Sequence, residues 1–83
     1  VHRPLSDLER SILDFAGQTW RSRGLQEQAV RELFDMSATR YHQLVLGLLD
    51  RPEALAYAPS TVKRLQRLRD RRAQERSMPA ALR

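Results

Sequence analysis

The stretch Phe34-Asp35-Met36-Ser37-Ala38 constrains this chain most. Apolar residues at helical spacing lead into it (Val30, Leu33 and Phe34) and resume beyond it at Tyr41, Leu44, Val45, Leu48 and Leu49. One helical face stops and another starts within about three residues. Two helices joined by so short a turn cross steeply and need apolar contacts on both sides of it. Ser37 offers the side-chain oxygen that caps the second helix. Asp35 tolerates a left-handed backbone better than most residues other than glycine. The second helix then turns Tyr41, Leu44, Val45, Leu48 and Leu49 inward, and its early outer face is Ala38, Thr39, Arg40, His42 and Gln43.

Similar signals divide the rest of the chain. Ser6 stands three residues before Glu9, the spacing of a capping box. Leu8, Ile12, Phe15, Ala16 and Trp20 follow at spacings of three and four, with Leu13 widening the stripe. The pattern predicts a first helix from Ser6 to a stop at Gly24, with Arg21 and Arg23 beside its negative end. Gly17 falls inside it, where glycine costs about 1 kcal/mol against alanine, so a close helix crossing or a slight break is expected there. A second helix is expected over residues 25–34, with Leu25, Ala29, Val30, Leu33 and Phe34 inward. Asp50-Arg51-Pro52-Glu53 reads as a helix start, with Asp50 as cap and Glu53 at the capping-box position, opening a short helix over Arg51–Tyr57. Ser60 then caps a last helix through about Arg76, with Val62, Leu65 and Leu68 as its apolar stripe. No segment alternates as a strand does, so a wing hairpin is not expected. The expected fold is an all-α, wingless helix-turn-helix bundle of four to five helices. Its core spans 1–59 with the turn near 35–37, followed by a basic helix over 60–76 and a disordered tail over 77–83.

Charge narrows the partners. The net +5 is unevenly placed. Residues 1–59 carry seven arginines against eight acidic residues, whereas residues 60–83 carry eight basic residues against Asp70 and Glu75. A basic end of this kind favours a polyanion or an acidic protein surface. The absence of cysteine excludes disulfides and thiolate metal sites. With 83 residues the chain makes one small domain, of a size that buries only about 60% of its unfolded surface. No apolar run nears the roughly 20 residues that span a bilayer, and VHRPLSDLER lacks the pattern of a signal peptide. A cytoplasmic protein, not bound to a membrane, is expected. His2 and His42 stand alone, the carboxylates are scattered, and there is no glycine-rich phosphate loop. Neither catalysis, nor a cofactor, nor a metal site is expected.

The segments LSDLERSILDF and VRELFDMSATRYHQL resemble the helix-turn-helix of sigma-factor region 4 and of response-regulator output domains. The longer run through LVLGLLDRPEALAYAP and VKRLQRLR resembles a family of short actinobacterial proteins of unknown function, with MSATRYHQ and DRPEAL as its most specific parts. The resemblance implies a helix-turn-helix fold. Asp35 takes the turn position usually held by glycine. Arg31 takes the position usually held by a small alanine.

Side-chain chemistry then gives the expected roles on DNA. Arg40 suits a bidentate pair with guanine and Gln43 one with adenine. Ala38 and the Thr39 methyl suit a thymine methyl, and His42 can donate to a base or a phosphate. Ser37 with the helix start suits a phosphate, as do Arg21, Arg23, Lys63, Arg64, Arg67 and Arg71. Tyr41 and Trp20 read as core residues. The expected function is a nucleoid-associated transcription regulator on double-stranded DNA, working as a homodimer. Val62, Leu65 and Leu68 are one candidate pairing surface for such a dimer. The alternative is a module docking on RNA polymerase or a sigma factor without reading sequence.

Overall fold

The structure is a computed structural model in which residues 3–77 are described. His2 and Met78–Arg83, and with them nearly all of the tail expected to be disordered, lie outside the described residues. Five helices follow one another: α1 (Asp7–Ala16), α2 (Arg23–Phe34), α3 (Ala38–Leu48), α4 (Pro52–Tyr57) and α5 (Pro59–Ser77). No strand occurs among the described residues. The fold is the small all-α bundle that the apolar periodicity predicts.

α1 starts as expected. Glu9 N–H donates to Ser6 Oγ at 3.1 Å and Ser6 N–H donates to the Glu9 carboxylate at 2.8 Å, closing the capping box. It ends earlier than expected, at Ala16, with Gly17 as its C-cap. Gly17 has a close neighbour far along the chain. A Cβ on Gly17 would stand 3.0 Å from Thr61 Oγ1 in the first turns of α5. At that distance a side chain on residue 17 would press on the Thr61 hydroxyl, which would have to give way by a few tenths of an ångström. Trp20 continues the apolar spacing but belongs to the connection, where its ring packs on Phe15 at 4.9 Å.

α2 begins at Arg23, two residues before the expected start, because Ser22 caps it through a bond from Leu25 N–H. Gly24, expected to end the first helix, lies inside the second. Arg21 and Arg23 therefore flank a positive helix end instead of a negative one. Leu25 and Leu33 were expected inward but are 49% and 66% exposed. α2 packs chiefly on α3, so only the arc around Val30 and Phe34 is covered. Leu8, at the edge of the α1 stripe, is also half exposed.

The turn that follows is as the sequence implies. Asp35 adopts φ 53°, ψ 45° and is the one residue other than glycine with a positive φ among the described residues. Its N–H bonds to Arg31 O. Arg31 itself is exposed, so it does not stand between the crossing helices. Ser37 then caps α3. Phe15, Phe34 and Tyr41 meet beneath the turn, with Phe15 edge-on to both others at 5.5 and 5.4 Å. Each such pair adds about 0.5–1.5 kcal/mol beyond area burial.

The start of α4 departs in detail. Arg51, not Asp50, occupies the cap position and makes no side-chain cap bond, while Pro52 opens the helix. Glu53 accepts from Arg51 Nε instead of closing a capping box. α5 begins at Pro59, one residue before the expected Ser60 cap. Its Val62 is fully buried and Leu65 packs against the same core. Val62 and Leu65 of the apolar stripe are thus taken up within the chain, while Leu68 is half-buried. The core thus joins Ile12, Leu13 and Phe15 of α1, Val30, the inner face of α3, Ala54 and Val62.

Candidate nucleic-acid interface

α3 sorts its residues cleanly by side. Tyr41, Val45 and Leu48 are buried and Leu44 half-buried, while Thr39, Arg40, His42 and Gln43 are exposed. At roughly 100° per residue these four share one outward arc. Ala38 lies at its margin and is half-buried. Tyr41 anchors the arc. Burial pushes its hydroxyl pKa up to about 12, and its ring stands 5.3 Å from that of His42. Arg40 makes no side-chain bond among the described residues, in contrast to Arg3, Arg10, Arg51, Arg64 and Arg69, all of which are engaged.

The start of α3 is open. Ser37 Oγ accepts from Arg40 N–H at 3.1 Å, and Ser37 O accepts from Tyr41 N–H at 3.0 Å. The N–H groups of Ala38 and Thr39 have no partner among the described residues. Neither α2 nor α3 has an acidic residue in its first turn, whereas α1 has Asp7 and Glu9 and α4 has Glu53. The starts of α2 and α3 therefore keep their partial positive charge, with Arg21 and Arg23 exposed at the start of α2. Ser22 belongs to this group and was not picked out from the sequence. Its only signal was a serine three residues before Leu25, and the helical spacing of Trp20 masked it.

α5 has a structural side and a free side. Arg64 Nη2 donates to Ala16 O at 2.7 Å and Gln66 Nε2 to Leu49 O at 2.7 Å. In this way α5 satisfies carbonyls at the ends of both α1 and α3. Arg69 bonds to Asp50 and Asp70. Of the residues expected to meet phosphate, Arg64 is thus tied into the fold. Lys63, Arg67 and Arg71 are exposed with no partner among the described residues.

No group of three or more His, Asp or Glu residues is placed to hold a metal ion among the described residues. None of the described helices is long and apolar enough to cross a membrane. Comparison with curated proteins and comparison with solved structures each return no match. One family model does match, over residues 4–77, covering all five helices, and on that ground the chain belongs to the family described as "Protein of unknown function (DUF3263)".

Proposed function

We propose that this protein binds duplex DNA as a transcription regulator, setting the first half of α3 into the major groove. The resemblance of the segments LSDLERSILDF and VRELFDMSATRYHQL to the helix-turn-helix of sigma-factor region 4 and response-regulator output domains supports the proposal. One observation carries it. Thr39, Arg40, His42 and Gln43 face solvent together at an open, serine-capped helix start, while Tyr41 between them is fixed in the core. A recognition helix needs this arrangement: free polar ends for base edges, on a backbone held rigid from behind. Arg40 takes guanine, Gln43 takes adenine, and Thr39 contacts a thymine methyl. Ser37, Ser22, Arg21 and Arg23 position the backbone phosphates. The protein belongs with the nucleoid, and a homodimer would present two such helices about 34 Å apart.

The test starts with selection of bound genomic fragments, followed by titration of the selected duplex and a scrambled one. Arg40→Ala and Gln43→Ala are each expected to reduce discrimination by about 1–3 kcal/mol, with little effect on the scrambled duplex. Discrimination equal to the parent in both variants would refute base reading by α3.

A second reading has its own support. Leu25 and Leu33 stand exposed on α2, and Leu46 is 50% exposed on the outer side of α3. An apolar partner surface on RNA polymerase or a sigma factor would cover such residues. Absence of duplex binding at about 50–100 mM salt, where non-specific attraction is still strong, would favour that docking function.

A further inference from the structure

We infer that the outer ridge of α5 is a second phosphate-binding surface, separate from α3, and that the protein bridges two duplex segments. This rests on the DNA-binding function proposed above and adds a second DNA partner to it.

The direction of the ridge comes from α5's own contacts. Val62 and Leu65 face the core, Gln66 reaches Leu49, and Arg69 reaches Asp50. These four mark the inward side, which meets the C-terminal end of α3. Lys63, Arg67 and Arg71 recur every fourth residue, roughly 110–170° around the helix from that side. All three are exposed and unpaired among the described residues. The ridge therefore points away from α3.

Distance separates the two surfaces. From Ala38 to Leu49 the helix rises about 16 Å, and crossing α5 adds about 10 Å. The base-reading end and the ridge thus stand about 25 Å apart, roughly three Debye lengths at physiological salt. A phosphate held at one is not felt at the other. Along the outward face of α3 no cationic track joins them. Beyond Arg40, the outward residues of α3 and its end are His42, Gln43, Leu46, Gly47 and Asp50, and Asp50 is paired with Arg69. None of these outward residues is a lysine or an arginine. DNA is stiff over about 150 base pairs, so one short duplex lying on α3 does not turn back onto the far side of α5. Three free cations in a row suit the phosphates of another segment.

The experiment is a two-duplex capture with the full chain. A duplex carrying the selected site is fixed to beads, and a labelled random duplex is supplied in solution at about 50–100 mM salt. The wild type is expected to retain label in proportion to bound protein. A Lys63→Ala/Arg67→Ala/Arg71→Ala variant, checked for native helicity by circular dichroism, is expected to hold the bead duplex but lose the label. The log–log salt slope of label capture falls by about 2.7 for three lost phosphate contacts. Bridging equal to wild type in the triple variant would overturn the inference and assign bridging to a dimer. An equal loss of bead duplex and label would overturn it too, because the ridge would then be continuous with the α3 surface. A wild type that binds either duplex but never holds both defeats the bridge and leaves reading by α3 intact. A wild type that binds neither duplex defeats both.

Discussion

Asp35 shows how one residue sets the relation between two helices. It holds φ 53° at the end of α2, a region that costs an L-residue roughly 1–2 kcal/mol and aspartate somewhat less. No side-chain bond to it occurs among the described residues, so the backbone alone explains its role. Asp35→Gly is expected to raise stability by a few tenths to about 1 kcal/mol, read as a higher urea midpoint at unchanged slope. A lower midpoint would mean that the carboxylate has a stabilising partner. Gly47 has the opposite logic. A Cβ there would meet nothing within 4 Å, so packing within the chain does not require glycine at this outward position. Asp35 and Ser37 were legible in the sequence because caps and left-handed turns depend on residues one to three positions away. Gly17 was legible only as an oddity, since its close neighbour, Thr61, lies on another helix.

At the scale of elements, the ties that fix α1 are ionic and long in sequence. Arg51 Nη1 donates to Glu9 Oε2 at 2.5 Å, its Nε reaches Glu53, and its other nitrogen bonds to Arg3 O. Tyr57 hydroxyl donates to Asp14 at 3.0 Å, again joining α4 to α1, and this bond raises the pKa of the tyrosine. The Ser6 backbone N–H holds the Glu9 carboxyl below its ordinary pKa; burial opposes it, and the bond from Arg51 adds to the lowering. A carboxylate whose pKa is depressed on folding contributes stability above its unfolded pKa, near 4.3, and loses it as pH falls through the folded value. Urea unfolding followed from pH 6 down to pH 2, roughly that window, is expected to show stability falling below about pH 4.3. Glu9→Gln is expected to be less stable at neutral pH and to have a flatter acid limb. Identical acid limbs would remove Glu9 from the account. None of these partners was visible beforehand, for a salt bridge between residues 42 apart leaves no periodic trace. The same holds for α2: spacing marks Leu25 and Leu33 as helical, but only the tertiary arrangement decides that no neighbour covers them.

Across the whole molecule, stability is unevenly spread. The second halves of α1 and α2 and the inner face of α3 converge on one aromatic and aliphatic core, whereas every residue from Asp70 to Arg76 is exposed. An exposed helix end opens with little loss of buried contact. Amide hydrogen exchange is expected to be orders of magnitude faster at Arg71–Arg76 than at Ile12–Phe15 or Val45–Leu48. Uniform protection along α5 would show that its outer turns have a covering partner, such as a second copy. The five-helix content, the turn and the outward set on α3 were readable because each follows from local spacing. The orientation of α5 was not, because it depends on Arg64 and Gln66 finding carbonyls at the ends of two other helices.

Trp20 is the chain's one tryptophan. It sits between α1 and α2 with its ring on Phe15, and its buried indole N–H has no hydrogen-bond acceptor among the described residues. It is therefore a built-in optical reporter of the joint between α1 and α2. Its emission should stay blue-shifted while that joint is closed, ignore the opening of the outer turns of α5, and move to the red only when the aromatic core comes apart. A fluorescence melt and a helicity melt on the same sample would then separate loosening of the basic arm from loss of the domain.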